Sequence, residues 1–312
     1  MPGLPVSPSP AGTPRGLRVS FPGSRWSLPG GALDLESPRI MGVLNLTPDS
    51  FSDGGLVGGI PRALELARGM VEAGADLVDV GGESTRPGAG AVAVAEEVRR
   101  VVPFIEAAAP VLGVPISVDT RRAKVARAAI DAGAAVVNDV SGLRHDAAMA
   151  PLVAERGVGV VLMHMRGEPS TMMEQAVYGD LLAEVRDELA GSLEIALSAG
   201  VLPERIVLDP GIGFAKTAEQ SLVLLRRLAE LGELGYPLLV GPSRKSFLGK
   251  VLGVPPRERA AGTASACVLA YLEGARVFRV HDVEPVAQAL AVARAVRTSG
   301  APSPVAGSET RG

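Results

Sequence analysis

The stretch LELARGMVEAGADLVDVGGESTRPG, residues 64–88, holds one complete unit of the pattern from which the rest of the chain is built. Ala63, Leu66, Ala67, Met70 and Val71 recur at helical spacing behind Pro61, a residue suited to the first position of a helix. Gly74 then ends the helix, because the residue after a helix often needs a positive φ. An apolar run of strand length follows at once, Asp76–Val80, and it empties into a loop of small and polar residues, Gly81–Gly88.

The same order recurs along the chain. Gly113, Gly133, Gly157, Gly200, Gly235 and Gly274 each close a helical stretch and precede the apolar runs Pro115–Asp119, Ala135–Asn138, Gly159–His164, Arg205–Asp209, Leu238–Gly241 and Val277–Val280. One further strand, Ile40–Asn45, stands ahead of the first helix. Eight strands alternating with helices imply a parallel sheet, and that number implies closure into an α/β (β/α)8 TIM barrel with its active site on the C-terminal rim. A doubly wound open sheet is the alternative. It usually carries a glycine-rich fingerprint after its first strand, where this chain has Asn45-Leu46-Thr47-Pro48-Asp49. Asp146 and Thr217 read as N-caps of later helices.

Composition agrees with this architecture. Hydrophobic residues make up 47% of the 312 and aromatics only 3%, so the core is built of Ala, Val, Leu and Ile, as in buried parallel strands covered by helices. The net charge of −3 gives no reason to expect a nucleic-acid partner. The single cysteine, Cys267, excludes a disulfide framework and reads as a small buried hydrophobe. Residues 1–16 carry five prolines and no apolar signal-peptide core, and every long apolar run is broken before membrane-spanning length, so a cytoplasmic enzyme is expected. The expected organisation is a disordered tail over 1–16, a single barrel over 17–297 and a second disordered tail over 298–312. Between Leu17 and Leu28, two short β-like runs flanking Pro22-Gly23 suggest a hairpin packed on the barrel.

Polar residues collect at the C-terminal ends of the strands: Asn45, Asp119, Asn138, His164 and Asp209, then Ser243-Arg244-Lys245-Ser246 and Arg279 with His281. One such residue is commonly a turn former, but six or more of mixed charge on one rim need each other or a ligand. Strand alternation puts Arg279 and His281 on one face and Phe278 and Val280 on the other, and it turns Arg244 outward into a structural role. His145, just before a helix, reads as a capping or surface residue, and three scattered histidines argue against zinc.

Seven segments at these positions resemble the dihydropteroate synthases: MGVLNLTPDSFSDGG (41–55), VDVGGESTRPG (78–88), SVDT (117–120), VVNDVSG (136–142), LDPGIGF (208–214), GPSRKSFLG (241–249) and RVHDV (279–283). The resemblance runs from Leu28 to Val296, with Arg166 standing where the family often has Gln and with a longer N-terminal extension. It implies an enzyme in which para-aminobenzoate displaces pyrophosphate from hydroxymethyl-dihydropterin pyrophosphate, assisted by Mg²⁺, in a protein usually dimeric. It implies a pterin slot of Asp119, Asn138, Asp209 and Lys245 walled by Met163 and Phe214, a pyrophosphate site of Asn45, Arg86, Arg279 and His281 with Asn45 on the metal, and a para-aminobenzoate site of Phe51, Thr85, Pro87 and Ser246. Asp119, Asp209, Lys245, Arg279 and His281 are the catalytic candidates it implies. The loops Thr47–Gly55 and Gly81–Gly88 are expected to be mobile when empty and to order over the substrates. Two other readings share parts of this pattern. A corrinoid-dependent pterin methyltransferase would not need TPDSFSDGG or the RVHDV cation pair, and an inactive pterin-binding paralogue would be expected to have lost loop or phosphate residues, which are all present.

Overall fold

The computed structural model describes residues 24–46, 59–84, 90 and 92–299. The chain opens with a hairpin, β1 (Arg25–Leu28) paired antiparallel with β2 (Gly31–Asp34). Its turn lies at Pro29-Gly30, with Gly30 at φ 80°. The hairpin expected around Pro22-Gly23 falls outside the described residues, and the observed one lies further along the chain.

Eight parallel strands follow: β3 (Arg39–Asn45), β4 (Leu77–Gly81), β5 (Ile116–Asp119), β6 (Val136–Asp139), β7 (Gly159–Met163), β8 (Ile206–Asp209), β9 (Leu239–Val240) and β10 (Val277–Val280). Their order is β8-β7-β6-β5-β4-β3-β10-β9, so each strand pairs with its neighbour in sequence and β10 returns to β3. A parallel bridge between Leu208 and Leu238, with Leu208 N donating to Pro237 O at 2.9 Å, joins β8 to the start of β9 and closes the barrel. The open-sheet alternative is excluded by that closure. Glycines 74, 113, 133, 157, 200, 235 and 274, which mark the units in the sequence, all have positive φ.

Inward and outward residues alternate along every strand. Outward-facing Ile116, Val118, Val137, Phe278 and Val280 pack in the main core under the helices. Inward-facing Met41, Leu77, Val136, Val161, Val207, Leu239 and Val277 form a separate apolar floor. The hairpin plugs the N-terminal mouth beneath this floor: Trp26 is fully buried, packs with Leu28 and Leu35 in the same cluster, and donates from Nε1 to Arg205 O at 2.9 Å. Two residues further along, the inward positions of β4, β6, β8 and β10 turn polar, with Asp79, Asn138, Asp209 and Arg279, while β3, β7 and β9 give Val43, Met163 and Gly241. An apolar floor under a polar upper layer is the arrangement that positions the site.

The helix caps differ in detail from the expectation. Thr217 caps its helix through a reciprocal pair with Gln220, as expected. Asp146 instead accepts from Ala123 N at 2.8 Å and from Ala148 N at 3.0 Å, so it serves the start of the neighbouring helix Ala123–Asp131 as well as its own turn. Pro61 is the third residue of the helix Gly59–Glu72, and Leu66 is 37% exposed, leaving Ala63 and Ala67 as its buried stripe. Cys267 is buried and its thiol is pushed well up by burial, as a packing residue. Among the described residues no helix is long and apolar enough to cross a membrane.

If the hairpin is the barrel's floor plate, Trp26→Ala should lower unfolding free energy by roughly 3–5 kcal/mol. Urea denaturation of the two proteins checks this.

Candidate active site

The C-terminal ends of the strands meet in one cluster of buried charge. Arg279 lies across the barrel axis, with Nε donating to Asp79 Oδ2 at 2.6 Å and Nη2 donating to Asp119 Oδ2 at 2.7 Å. Asn138 Nδ2 also donates to Asp79 Oδ2, at 3.2 Å. Asp79 is completely buried and Asp119 is 6% exposed. Oδ1 of each is buried without a hydrogen-bond partner. Such acceptors are costly to leave unmade.

The adjoining slot is lined by Asn138, Met163, Asp209, Phe214, Lys245 and Arg279, with Val140, Ile212 and Gly241. Six of the sequence-selected residues thus converge, while Asp119 joins them through Arg279. Lys245 Nζ lies 3.7 Å from the centre of the Phe214 ring. Its stem passes Gly213 at φ 78°, where an added Cβ would sit 3.2 Å from Lys245 Cδ. Glycine there permits both the left-handed turn and the close approach. Asp209 Oδ1 accepts from Gly211 N at 2.7 Å.

Burial dominates the titration of the cluster. It raises Asp119 to about 7, against the pull of Arg279 and with the push of Asp79. It raises Asp209 to about 6, opposed by the Gly211 N–H and then by Lys245 and Lys216. It lowers Lys245 to about 7, with Arg279 adding repulsion and Asp209 opposing. Burial also works against the Arg279 charge, but Asp79 and Asp119 outweigh it and hold the guanidinium above the ordinary arginine value.

Other expected residues take separate places. Asn45 ends β3, level with Gly81 of β4. His281 Nδ1 is 3.0 Å from Ser243 Oγ, and its backbone N–H donates to the same hydroxyl at 3.1 Å. Ser246 is exposed at the start of the helix Ser246–Leu252. Arg244 turns away to a two-point pair with Asp282, in the structural role expected. Phe51, Thr85, Arg86 and Pro87 lie outside the described residues, as do Thr47–Gly55 and the second half of Gly81–Gly88. Arg279, expected at the pyrophosphate site, lines the slot with its Nε and Nη2 bound to Asp79 and Asp119.

Two residues escaped the sequence reading. Asp79 sits within a strand rather than at its end, yet a lone carboxylate at an inward position of LVDVG is a signal in itself. Lys216 lies beyond β8 in a loop and is only 2% exposed, which nothing in its sequence neighbourhood indicates. His164, read as a rim residue, is instead completely buried against Lys216 and Glu188. Across the rim, a cavity of about 460 Å³ is bordered by Arg121, Arg144, His145 and Glu168, and pairs such as Arg121–Glu168 neutralise much of its charge.

Residues 41–281 are matched by the model of the family described as pterin binding enzyme. Dihydropteroate synthase of Synechocystis is 52% identical over 82% of this chain and 89% of its own, and that of Bacillus subtilis is 48% identical over 81% and 86%. Among solved structures, a Yersinia pestis dihydropteroate synthase in complex with a sulfonamide drug superposes with a TM-score of 0.84 at 42% identity, covering 88% of this chain and all (100%) of that one. The chain belongs to the pterin-binding enzyme family, among its dihydropteroate synthases.

The raised carboxylates give a sign to the pH dependence of stability. An acid whose folded pKa exceeds its unfolded value favours folding below the unfolded value and loses that contribution as pH rises through the folded one. Asp119 and Asp209 therefore withdraw stability from the ligand-free protein between the ordinary carboxylate range and about 7 and about 6 respectively. Thermal melts should show Tm falling between mildly acidic and neutral pH, and Asp119→Asn should flatten that fall. A slope unchanged by the substitution would remove Asp119 as its source.

Proposed function

We propose that the slot holds the pterin of hydroxymethyl-dihydropterin pyrophosphate, and that the chain transfers this pterin to the amine of para-aminobenzoate, releasing pyrophosphate and forming dihydropteroate. The observation that carries the reading is the pairing of buried carboxylates with a flat apolar wall. Asp209 faces the slot, and Met163 and Phe214 flank it. A pterin edge offers an amino group and a ring N–H that a carboxylate accepts together, while its faces need apolar cover. The Xanthomonas albilineans relative has been solved with 4-aminobenzoic acid, and it shares 44% identity with this chain.

The amine of para-aminobenzoate is neutral at physiological pH, so it needs no base before attack. Its lone pair forms the new C–N bond at the pterin methylene as the C–O bond breaks, the electron pair leaves on pyrophosphate, and the nitrogen then sheds one proton. Positive charge that develops on the methylene spreads into the ring. Asp209 and Asp119 stabilise it electrostatically and accept no proton. Lys245 pins the Phe214 ring and stands beside Asp209. His281, on the rim with Ser243, together with Arg86, receives the leaving group, while Phe51, Thr85, Pro87 and Ser246 hold para-aminobenzoate. With Arg279 occupied by two carboxylates, its contribution is to hold Asp119 in place as much as to draw on the pyrophosphate.

The described residues fit Mg²⁺ as a passenger of the substrate. Among the described residues no group of three or more His, Cys, Asp and Glu could hold a metal. Asn45 offers one neutral oxygen at the end of β3, which suits an ion that keeps phosphate oxygens and water as most of its ligands. Once bound, Mg²⁺ neutralises charge on pyrophosphate.

We also propose a homodimer. Leu222, Val223, Val251, Leu252, Leu269 and Leu272 are exposed on the helices Ala218–Arg226, Ser246–Leu252 and Ala260–Leu272, which pack side by side. A cytoplasmic location accords with the single cysteine.

The decisive assay is pyrophosphate release that requires Mg²⁺, the pterin pyrophosphate and para-aminobenzoate together. Release without para-aminobenzoate would contradict the reading. Asp119→Asn, which keeps shape but removes charge, should lower kcat about 10²-fold, corresponding to ~3 kcal/mol of transition-state stabilisation, and weaken pterin binding by less. If affinity falls while kcat holds, Asp119 anchors the ring and does nothing more.

A further inference from the structure

Behind the slot lies a second line of buried polar groups that the transfer reaction does not touch. Lys216 Nζ donates to Phe214 O at 2.9 Å and lies 2.8 Å from His164 Nδ1. On the far side of that ring, His164 Nε2 is buried 3.1 Å from Glu188 Oε2, an electrostatic contact that is not aligned as a hydrogen bond. Glu188 is held in turn by Arg166, whose Nε donates to Oε1 at 2.8 Å. The Lys216 contact fixes the imidazole's protonation pattern. An ammonium can only donate, so Nδ1 is the acceptor and the ring proton sits on Nε2, facing the carboxylate. Burial and the neighbouring Lys216 lower His164 to about 4, consistent with a neutral ring.

The segment that Lys216 ends is under conformational tension. Ala215 adopts φ 48°, a left-handed conformation that a residue with a Cβ holds only when its surroundings insist. Two hydrogen bonds insist here. Lys216 takes the carbonyl of Phe214, and Tyr178 Oη donates to the carbonyl of Ala215 at 2.9 Å. The ring of Tyr178 lies beneath Arg166, 4.0 Å from its guanidinium carbon. At the other end of the turn, Gly211 N–H is bound to Asp209, and a Cβ on Gly211 would meet His164 O at 2.0 Å. His164 is therefore the surface against which the whole turn from Gly211 to Lys216 is moulded.

We infer that Lys216 is a positioning residue for the pterin slot, its ammonium oriented by Glu188 through His164 so that it locks the Gly211–Lys216 turn and thereby fixes the Phe214 wall beside Asp209. This rests on the pterin reading of the slot. Residues at the two ends of the turn line the ligand space, so a few tenths of an ångström lost at Lys216 reach both Phe214 and the Asp209 bond. Lys216 also supplies charge. Asp209 faces Lys245 from the loop after β9, Arg279 from β10 and Lys216 from its own loop, and all three favour its ionised form. Lys216 itself faces Asp209 and Glu188 as attractive partners and Lys245 and Arg166 as repulsive ones, with burial lowering it to about 7. A carboxylate must be ionised to accept two N–H groups, so loss of the Lys216 charge moves the acid limb of pterin binding to higher pH.

The test is calorimetric titration of pterin lacking the pyrophosphate into wild type and Lys216→Met across the neutral range, with KM for para-aminobenzoate measured beside it. Wild-type binding establishes the slot. Against it, Lys216→Met should bind pterin about tenfold more weakly near neutrality, with the acid limb displaced upward and KM for para-aminobenzoate within about twofold. A folded Lys216→Met with wild-type pterin affinity and an unmoved limb overturns the inference while leaving the pterin reading intact; failure of wild type to bind pterin overturns that reading instead. If Lys216→Met does not fold, His164 decides the matter. His164→Gln keeps an acceptor for Lys216 and a donor for Glu188 and should retain pterin affinity, whereas His164→Leu fills similar space without either and should lose it. Equal affinity in these two variants reduces His164 to packing and overturns the inference.

Discussion

The structure turns on one guanidinium held between two carboxylates inside a barrel. Arg279 bonds Asp79 and Asp119, and both acids come from strands on the other side of β3. Removing either partner from such a buried arrangement leaves an uncompensated charge, at a cost of roughly 3–5 kcal/mol. The clasp therefore ties β10, β4 and β5 together at the level where the strands end. It also fixes the direction of Asp119, whose second oxygen is left without a partner. The wider cluster is close to balance, with Asp79, Asp119 and Asp209 facing Arg279, Lys245 and Lys216. A neutral heterocycle enters such a cluster without adding charge to it.

Two features of the fold allow the cluster to exist. The first is the two-residue step from floor to upper layer in four of the strands, which takes Leu77 to Asp79, Val136 to Asn138, Val207 to Asp209 and Val277 to Arg279. The second is the hairpin plug at the opposite mouth, where Trp26, Leu28 and Leu35 seal the floor. Water excluded from below strengthens every interaction above, and it accounts for Asp119 and Lys245 both being drawn toward neutral pH from opposite directions.

Much of this was legible in the sequence, for physical reasons that differ by residue. The seven glycines after helices all take positive φ, and β7 begins and β10 lies where the alternation of apolar residues puts them. Asn138, Asp209 and Arg279 were visible because polar side chains of mixed charge recur where the apolar runs end, on one rim of the barrel. Asp79 was obscured by its place inside a run, although its inward parity carries the same information. Lys216 and the buried state of His164 were not legible, because each depends on a contact across more than fifty positions of chain. The hairpin that turns at Pro29-Gly30 has a signal of the same kind as Pro22-Gly23, and Trp26 packing under the floor is what anchors it.

Holding Asp119 in place is a task that Asp79 performs through Arg279 without lining the slot, and this separates the present account from one in which each residue acts on ligand alone. The most direct measurement is the affinity of Asp79→Asn for pterin lacking the pyrophosphate, compared with wild type by calorimetry on protein shown to be folded. The account predicts binding weaker by about ten- to a hundredfold, corresponding to ~1.4–2.8 kcal/mol. A folded Asp79→Asn that binds pterin as wild type does would contradict the claim that the clasp on Arg279 organises the site.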